Sequence, residues 1–301
     1  MGSVVRVRRG SVADAMLLVT VCLWALNFTV SKYILDHGFR PLTYSGIRYA
    51  IAALIFLAIV LPRERSLRVE RRDLPLVAGA IVLLFLNQVG FVFALDLTTA
   101  TTVALLFGTL PIFTALIARF VGMERLNRRF WLAAALSFGG VVLVTVGSGQ
   151  SVSGNVWGDL LALMSAATWG GYSVALAPLM RRYSPFRLSA IFLLVVSVAL
   201  LSAGTPQLGD QSFDLSGLVW LSFLYAVVGP LVITNLLWFS AIDRVGPSRA
   251  SLFANLQPFL AAVIALLLLH ESLTRLQVAG GLLIAAGIVF SRGRRPPPEP
   301  T

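Results

Sequence analysis

Ten apolar windows of about 20 residues recur along the chain, at 15–35, 42–61, 74–95, 100–121, 130–147, 157–179, 187–204, 217–241, 249–270 and 276–291. Each is long enough to cross a hydrocarbon core of roughly 30 Å as a helix. A hydrocarbon solvent then dictates the secondary structure. A lone strand would leave its backbone groups unpaired there, and barrel strands would read as short alternating segments. The expected fold class is all-α integral membrane with ten transmembrane helices. Only 12% of the residues are charged, against roughly 25% in soluble domains. The net charge of +11 falls in short loops and at span ends, so it reports topology and gives no sign of a nucleic-acid partner.

The chain also says one stretch twice. Moved by 147 positions, Ala94–Leu143 lands Asp96 on Asp243, Pro111 on Pro258, Glu124 on Glu271, Arg128 on Arg275 and Gly140 on Gly287. Chance aligns Leu-rich runs, but seldom a mid-run Pro, a helix-end Glu, an Arg and a Gly together. The reading is two five-span repeats, 13–147 and 157–291, with 292–301 a disordered cytoplasmic tail. An odd number of spans per repeat inserts the second copy upside down relative to the first, an arrangement common in transporters. Arg6, Arg8, Arg9, Arg63–Arg72, Arg119–Arg129, Arg181–Arg187, Arg244, Arg249 and Arg292–Arg295 share one side, leaving Arg40 and Arg275 on the other. The positive-inside rule therefore puts both termini in the cytoplasm. The first apolar run lacks a small-residue cleavage pattern and carries Trp24, Asn27 and Lys32, so it is expected to stay as a helix. Cys22 is alone, which excludes an intrachain disulfide.

Polar residues inside the windows mark the candidate site. Thr20, Trp24, Asn27 and Ser31 share one helical face, and Ser165, Trp169 and Tyr172 repeat the first three of them 145 positions later. Such a stripe either packs helices or lines a wet cavity, and its repetition favours the cavity. Gln88 with Phe91 and Asn235 with Trp238 are a second repeated pairing, of an amide with a ring. Because Asn87 adjoins Gln88 and faces elsewhere, one of the two amides is expected to be structural. Pro111 and Pro258 each remove an amide hydrogen well inside a window, and Phe107, Thr109, Phe253, Asn255 and Gln257 lie nearby. Matched interruptions point to a midplane site, with a simple packing bend as the alternative. Gly229-Pro230 predicts a kink.

Lys32 and Arg48 are cations within spans, placed near their outer ends. Lys32 either pairs with Asp36 one turn on or, like Arg48, attracts or gates an anionic group such as a carboxylate. Glu124 with Arg128 and Glu271 with Arg275 are spaced as helical ion pairs that fasten a turn. Gly139, Gly140, Gly280, Gly281 and Gly287 suit close-packed helices at a periphery or protomer contact.

These residues carry a resemblance. The WALNF segment Trp24–Phe28 with Lys32, Arg48, the block from Pro111 to Glu124 followed by Gly140, and the second copy with Pro258, Glu271 and Gly287 resemble the drug/metabolite transporter superfamily, in its ten-helix branch of two EamA repeats. The likeness covers residues 13 to 291. It implies an inner-membrane carrier of small metabolites, often an exporter of amino acids or related compounds, with a cavity between the halves. Small multidrug-resistance relatives couple protons through a Glu in the first helix, whereas this chain has no carboxylate between Asp14 and Asp36. A facilitator is therefore expected, with an uncharged cavity suited to neutral or zwitterionic solutes.

The expected function is non-enzymatic export of such a metabolite across a lipid bilayer by alternating access, without metal or cofactor, as a monomer or homodimer. Substrate contacts are assigned to Trp24, Asn27, Gln88, Phe107, Trp169, Tyr172, Asn235, Trp238 and Gln257, helix breaks to Pro111 and Pro258, and charge or gating to Lys32 and Arg48. Multidrug efflux is the alternative on the same scaffold. A lipid-modifying membrane enzyme would need clustered His or acidic residues, and the chain has two His and no acidic cluster.

Overall fold

Apolar length decides the elements. The computed structural model describes residues 2–64, 66–123, 128–147, 155–245 and 256–291; Glu124, Arg249, Phe253, Asn255 and the tail 292–301, singled out above, lie outside them. In chain order the helices are α1 (Gly2–Asp36), α2 (Pro41–Glu64), α3 (Leu74–Leu97), α4 (Ala100–Phe107), α5 (Leu110–Phe120), α6 (Arg128–Gly147), α7 (Asn155–Leu179), α8 (Pro185–Ala203), α9 (Thr205–Gly209), α10 (Gly217–Val227), α11 (Thr234–Val245), α12 (Gln257–Leu268) and α13 (Arg275–Ser291). Among the described residues no strand forms. Among the described residues seven helical segments are long and apolar enough to cross a membrane, and Phe130–Val144, Gln257–Leu268 and Arg275–Gly287 are shorter apolar helices. Each expected window thus carries helix in its described part, and among the described residues span length is reached in seven.

Two of the helical runs are broken by proline chemistry. α4 stops at Phe107 and α5 starts at Leu110 with Pro111 in its first turn. The Thr109 amide (3.0 Å) and hydroxyl (2.7 Å) both donate to the Leu106 carbonyl, closing the break with local bonds. Between α10 and α11 the backbone widens into a π-helical turn, Val228–Ile233, around Gly229-Pro230. Pro230 cannot donate, and the looser turn absorbs the missing bond. On the second copy, Pro258 lies in the first turn of α12.

The two halves interleave with roles exchanged. α2 packs on its copy α8, and α6 on its copy α13; α3 packs on α7 as α11 packs on α1; α4 and α5 meet α7 as α12 meets α1. The α6–α13 seam is backbone to backbone. A Cβ on Gly280 would fall 2.5 Å from the Gly140 carbonyl, and one on Gly140 would fall 2.6 Å from the Gly280 carbonyl. Glycine is therefore needed on both sides of the seam, as in small-residue membrane contacts generally. Asn87 fixes α3 to α7: its Nδ2 donates to the carbonyl and the hydroxyl of Ser165, both at 2.9 Å, and the Ser165 hydroxyl donates to the Asn87 carbonyl at 2.9 Å.

Hydrogen bonds between the halves close both ends of the bundle. On the arginine-rich face, Asp73 accepts from Arg182 and from the Tyr183 hydroxyl (2.7 Å), and Glu64 accepts from Ser184 and from Arg187 Nε (2.9 Å). Accepting that phenolic proton, the Asp73 carboxylate raises the Tyr183 pKa above its ordinary value. On the opposite face Gln207 and Gln211 accept the amide hydrogens of Leu42 and Arg40, each at 2.8 Å. There Glu271 accepts the Ala100 and Thr101 amides at 2.9 Å, capping α4 from the other half. No Glu271–Arg275 ion pair forms, which corrects the expected turn-fastening pair. Bonding two free amides at a helix N-terminus satisfies the carboxylate better than one exposed guanidinium does.

Candidate functional site

Arg48 organises the site. It lies two turns into α2, toward the end expected from the sequence, and is 2% exposed, enclosed by the surrounding helices. Its Nη1 donates to Asn27 Oδ1 at 3.1 Å and to the Tyr44 hydroxyl at 2.9 Å. The Ser31 hydroxyl lies 2.8 Å from the Tyr44 hydroxyl and donates to Asn27 Oδ1 at 3.3 Å. These four side chains close a ring of hydrogen bonds between α1 and α2. The guanidinium also sits over the rings of Tyr44 (4.7 Å) and Tyr49 (5.6 Å). Helix spacing explains the assembly: Asn27 and Ser31 are one turn apart on α1, and Tyr44 and Arg48 one turn apart on α2.

The Tyr49 hydroxyl carries the network to α3 by donating to Gln88 Oε1. On the side chains of this network two buried nitrogen donors have no partner among the described residues, Arg48 Nε and Gln88 Nε2. Among the described residues no ion pair includes Arg48, whereas Lys32 is paired with Asp36 at 2.9 Å. An arginine within a membrane helix costs up to about 2.5–3.5 kcal/mol, the value at the helix centre, here offset by neutral acceptors and rings alone. The expected uncharged interior is thereby corrected: a cation stands within it.

Around this centre the other predicted residues form three aromatic groups. Phe107 meets Phe28 (5.6 Å between ring centroids) and Phe91 (6.4 Å), edge to face. Trp24 tilts against Trp238 at 5.1 Å, joining α1 to α11, and its Nε1 donates to the Pro230 carbonyl at 3.3 Å. The same carbonyl accepts from the Thr234 hydroxyl at 2.7 Å, so the π turn presents an acceptor to both halves. Trp169 contacts Tyr172 (5.5 Å), which contacts Phe192 (5.7 Å).

The repeated stripe does not act as one surface. Thr20 is fully buried and donates to the Met16 carbonyl of its own helix, and Ser165 is taken by Asn87. Asn235 likewise donates to the Leu231 carbonyl at 2.6 Å, within its own chain segment, so it does not mirror Gln88. Gln257 opens α12, half-buried. A cavity of about 420 Å³ lies elsewhere, between α3 and α8, lined by apolar side chains such as Leu74, Val77, Ile81 and Ile191. Sequence reasoning missed Tyr44 and Tyr49. The signal was present, a tyrosine one turn before Arg48 and another directly after it, within an apolar window.

The chain is similar to a solved structure described as "Crystal structure of protein", with a TM-score of 0.66 at 20% identity over 94% of this chain and 96% of the other, a likeness of fold. It is 26% identical over 290 residues to the uncharacterized transporter YyaM of Bacillus subtilis, covering 92% of each chain. To the uncharacterized inner membrane transporter YedA of Escherichia coli it is 25% identical over 280 residues, covering 90% of this chain and 88% of that one. The family model described as the EamA-like transporter family matches twice, at residues 11–146 and 156–293, and the chain belongs to that family.

Proposed function

We propose that this transporter moves small neutral or zwitterionic metabolites, amino acids or related compounds, outward across the inner membrane. Its route is the seam between the halves, 13–147 and 157–291. Five crossings in each half would insert the two oppositely, with both termini cytoplasmic, and let them exchange conformations. The observation that carries this reading is the hydrogen-bonded ring of Asn27, Ser31, Tyr44 and Arg48 at the centre of an apolar bundle. Polar groups at that depth are costly unless they pair or serve a solute path.

Two further features support it. Trp24 and Trp238 meet across the halves beside this ring, giving an aromatic surface for an apolar side chain. Inter-half contacts stand at both ends of the bundle, and some of them are between exposed partners, such as Arg40 with Asp210 at 3.8 Å. Such contacts are worth about 0–1 kcal/mol each and can be exchanged one end at a time. With no carboxylate between Asp14 and Asp36, transport is expected to run as facilitated exchange.

The test is uptake and counterflow in proteoliposomes with a labelled amino acid panel, with and without a pH gradient. Amino acid movement that the gradient does not drive, and that falls on replacing Trp24, Asn27 or Trp169 with Ala, is the expected result. Movement of ethidium with no movement of the panel would instead assign the chain to multidrug efflux.

A further inference from the structure

Resting on the central site proposed above, we propose that Arg48 Nε and Gln88 Nε2 form a carboxylate subsite, so that the transported solute carries one carboxylate beside an apolar part. The donors and acceptors around Arg48 do not balance. Asn27 Oδ1 already receives Arg48 and Ser31, the Tyr44 hydroxyl receives Arg48, and Gln88 Oε1 receives Tyr49. What is left over on these two side chains is donor on both, Arg48 Nε and Gln88 Nε2, each buried and without a partner among the described residues, while the unpartnered hydroxyls of Thr29, Thr43 and Ser45 on α1 and α2 can take either role. Arg48 is 2% exposed and Gln88 3%, so bulk water does not satisfy them. A buried donor surplus is costly, and the complement is a ligand that only accepts.

Charge selects the class of acceptor. Lys32 is compensated by Asp36, which leaves the Arg48 guanidinium as the uncompensated buried cation among the described residues. One positive charge matches one carboxylate, and a phosphate dianion would bring a net negative charge into the same apolar surroundings. The rings of Tyr44 and Tyr49 against the guanidinium, with Phe28 following Asn27 on α1, offer the wall for an apolar group. A lipophilic cation would meet like charge here.

The test uses the full-length protein and simple probes. In detergent at matched ionic strength, benzoate is expected to raise the unfolding temperature of the wild type while benzamide does not, and Arg48→Gln abolishes the benzoate shift. Gln88→Glu places a fixed carboxylate in the subsite. It is expected to unfold at or above the wild-type temperature and to ignore benzoate, and it decides the matter should Arg48→Gln fail to fold. In proteoliposomes, L-phenylalanine is expected to outpace L-phenylalaninamide about tenfold or more, the equivalent of one charge-assisted hydrogen bond. Equal shifts by benzoate and benzamide, or a benzoate shift that survives in folded Arg48→Gln or Gln88→Glu, would overturn the subsite. An Arg48-dependent benzoate shift with no amino acid movement would leave the subsite standing and remove the amino acid reading of transport.

Discussion

The two halves place opposite chemistry in one slot. Pro41, Ser45 and Ile47 of α2 match Pro185, Ser189 and Ile191 of α8 at an offset of 144, which sets Arg48 on Phe192; Asn27 matches Tyr172 at 145. In each half the two matched residues touch. Arg48 reaches Asn27 at 3.1 Å, and Phe192 meets Tyr172 edge to face at 5.7 Å between centroids. The duplication thus preserved which positions meet while exchanging what they do. The first half holds a cation in a ring of polar acceptors, and the second presents aromatic surface. The helix starts differ too: α8 is capped locally by Ser184, whose hydroxyl accepts the Arg187 amide at 3.1 Å, whereas α2 borrows Gln207 from the other half. Scaffold symmetry and site asymmetry coexist because backbone packing constrains the first and side-chain chemistry the second.

Exchanging the slots tests this most severely. Phe192 is 1% exposed, and its ring neighbour Tyr172 belongs to an aromatic group. Phe192→Arg buries a cation without the Asn27–Ser31–Tyr44 acceptors and is expected to cost about 3 kcal/mol or more, read as loss of monodisperse protein after extraction. Arg48→Phe removes a charge and fills with a ring, so it should fold with a far smaller change in unfolding temperature while losing transport. Equal tolerance of both exchanges would break the comparison. Next in size is Tyr172→Asn, which copies the first-half residue into the second. It forfeits the contacts with Trp169 and Phe192 and leaves an amide without a partner, for an expected loss of about 2–3 kcal/mol in thermal unfolding.

Much of the scaffold was legible in the sequence because its causes are local. Pro111 ends one helix and begins another, Gly229-Pro230 opens a π turn, and Gly140 and Gly280 form a close seam, each for a reason carried by the residue itself. Lys32 with Asp36 was legible as a one-turn pair. The centre was less so. Position along α2 placed Arg48 toward one end, but its burial depends on how α2 rotates against α1 and α3, which no spacing rule sets. Glu271 shows the same limit, since its partners Ala100 and Thr101 lie 170 and more positions away. Matched letters also misled at Asn235, which bonds back to the Leu231 carbonyl one turn earlier on its own segment.

Supplying a fixed counter-ion sharpens the contrast with the opposite sign. Asn27→Asp keeps the shape and turns the 3.1 Å contact with Arg48 Nη1 into a charge-assisted pair. It is expected to add about 1–2 kcal/mol to stability, seen as a higher unfolding temperature, while slowing transport because the cation is then satisfied from within. A fall in unfolding temperature would mean that the neutral acceptors already balance Arg48, and the first half would be polar without being poised for an anion.

The smallest effect belongs to the contact that joins the halves. Trp24→Phe keeps a ring against Trp238 but removes the 3.3 Å bond to the Pro230 carbonyl. That carbonyl still accepts from the Thr234 hydroxyl at 2.7 Å, so no acceptor is orphaned. Interhelical hydrogen bonds in membranes average about 0.6 kcal/mol, and the unfolding temperature should barely move. If the bond serves chiefly to hold α1 against the π turn in this closed arrangement, its loss shifts the balance between arrangements more than it shifts folding. Exchange rates in proteoliposomes should then change in Trp24→Phe while unfolding does not, and Thr234→Val, which leaves the Trp24 bond in place, should leave those rates as they are. Equal effects of the two substitutions on exchange would place the role in the π turn itself and remove Trp24 from the link between the polar half and the aromatic one.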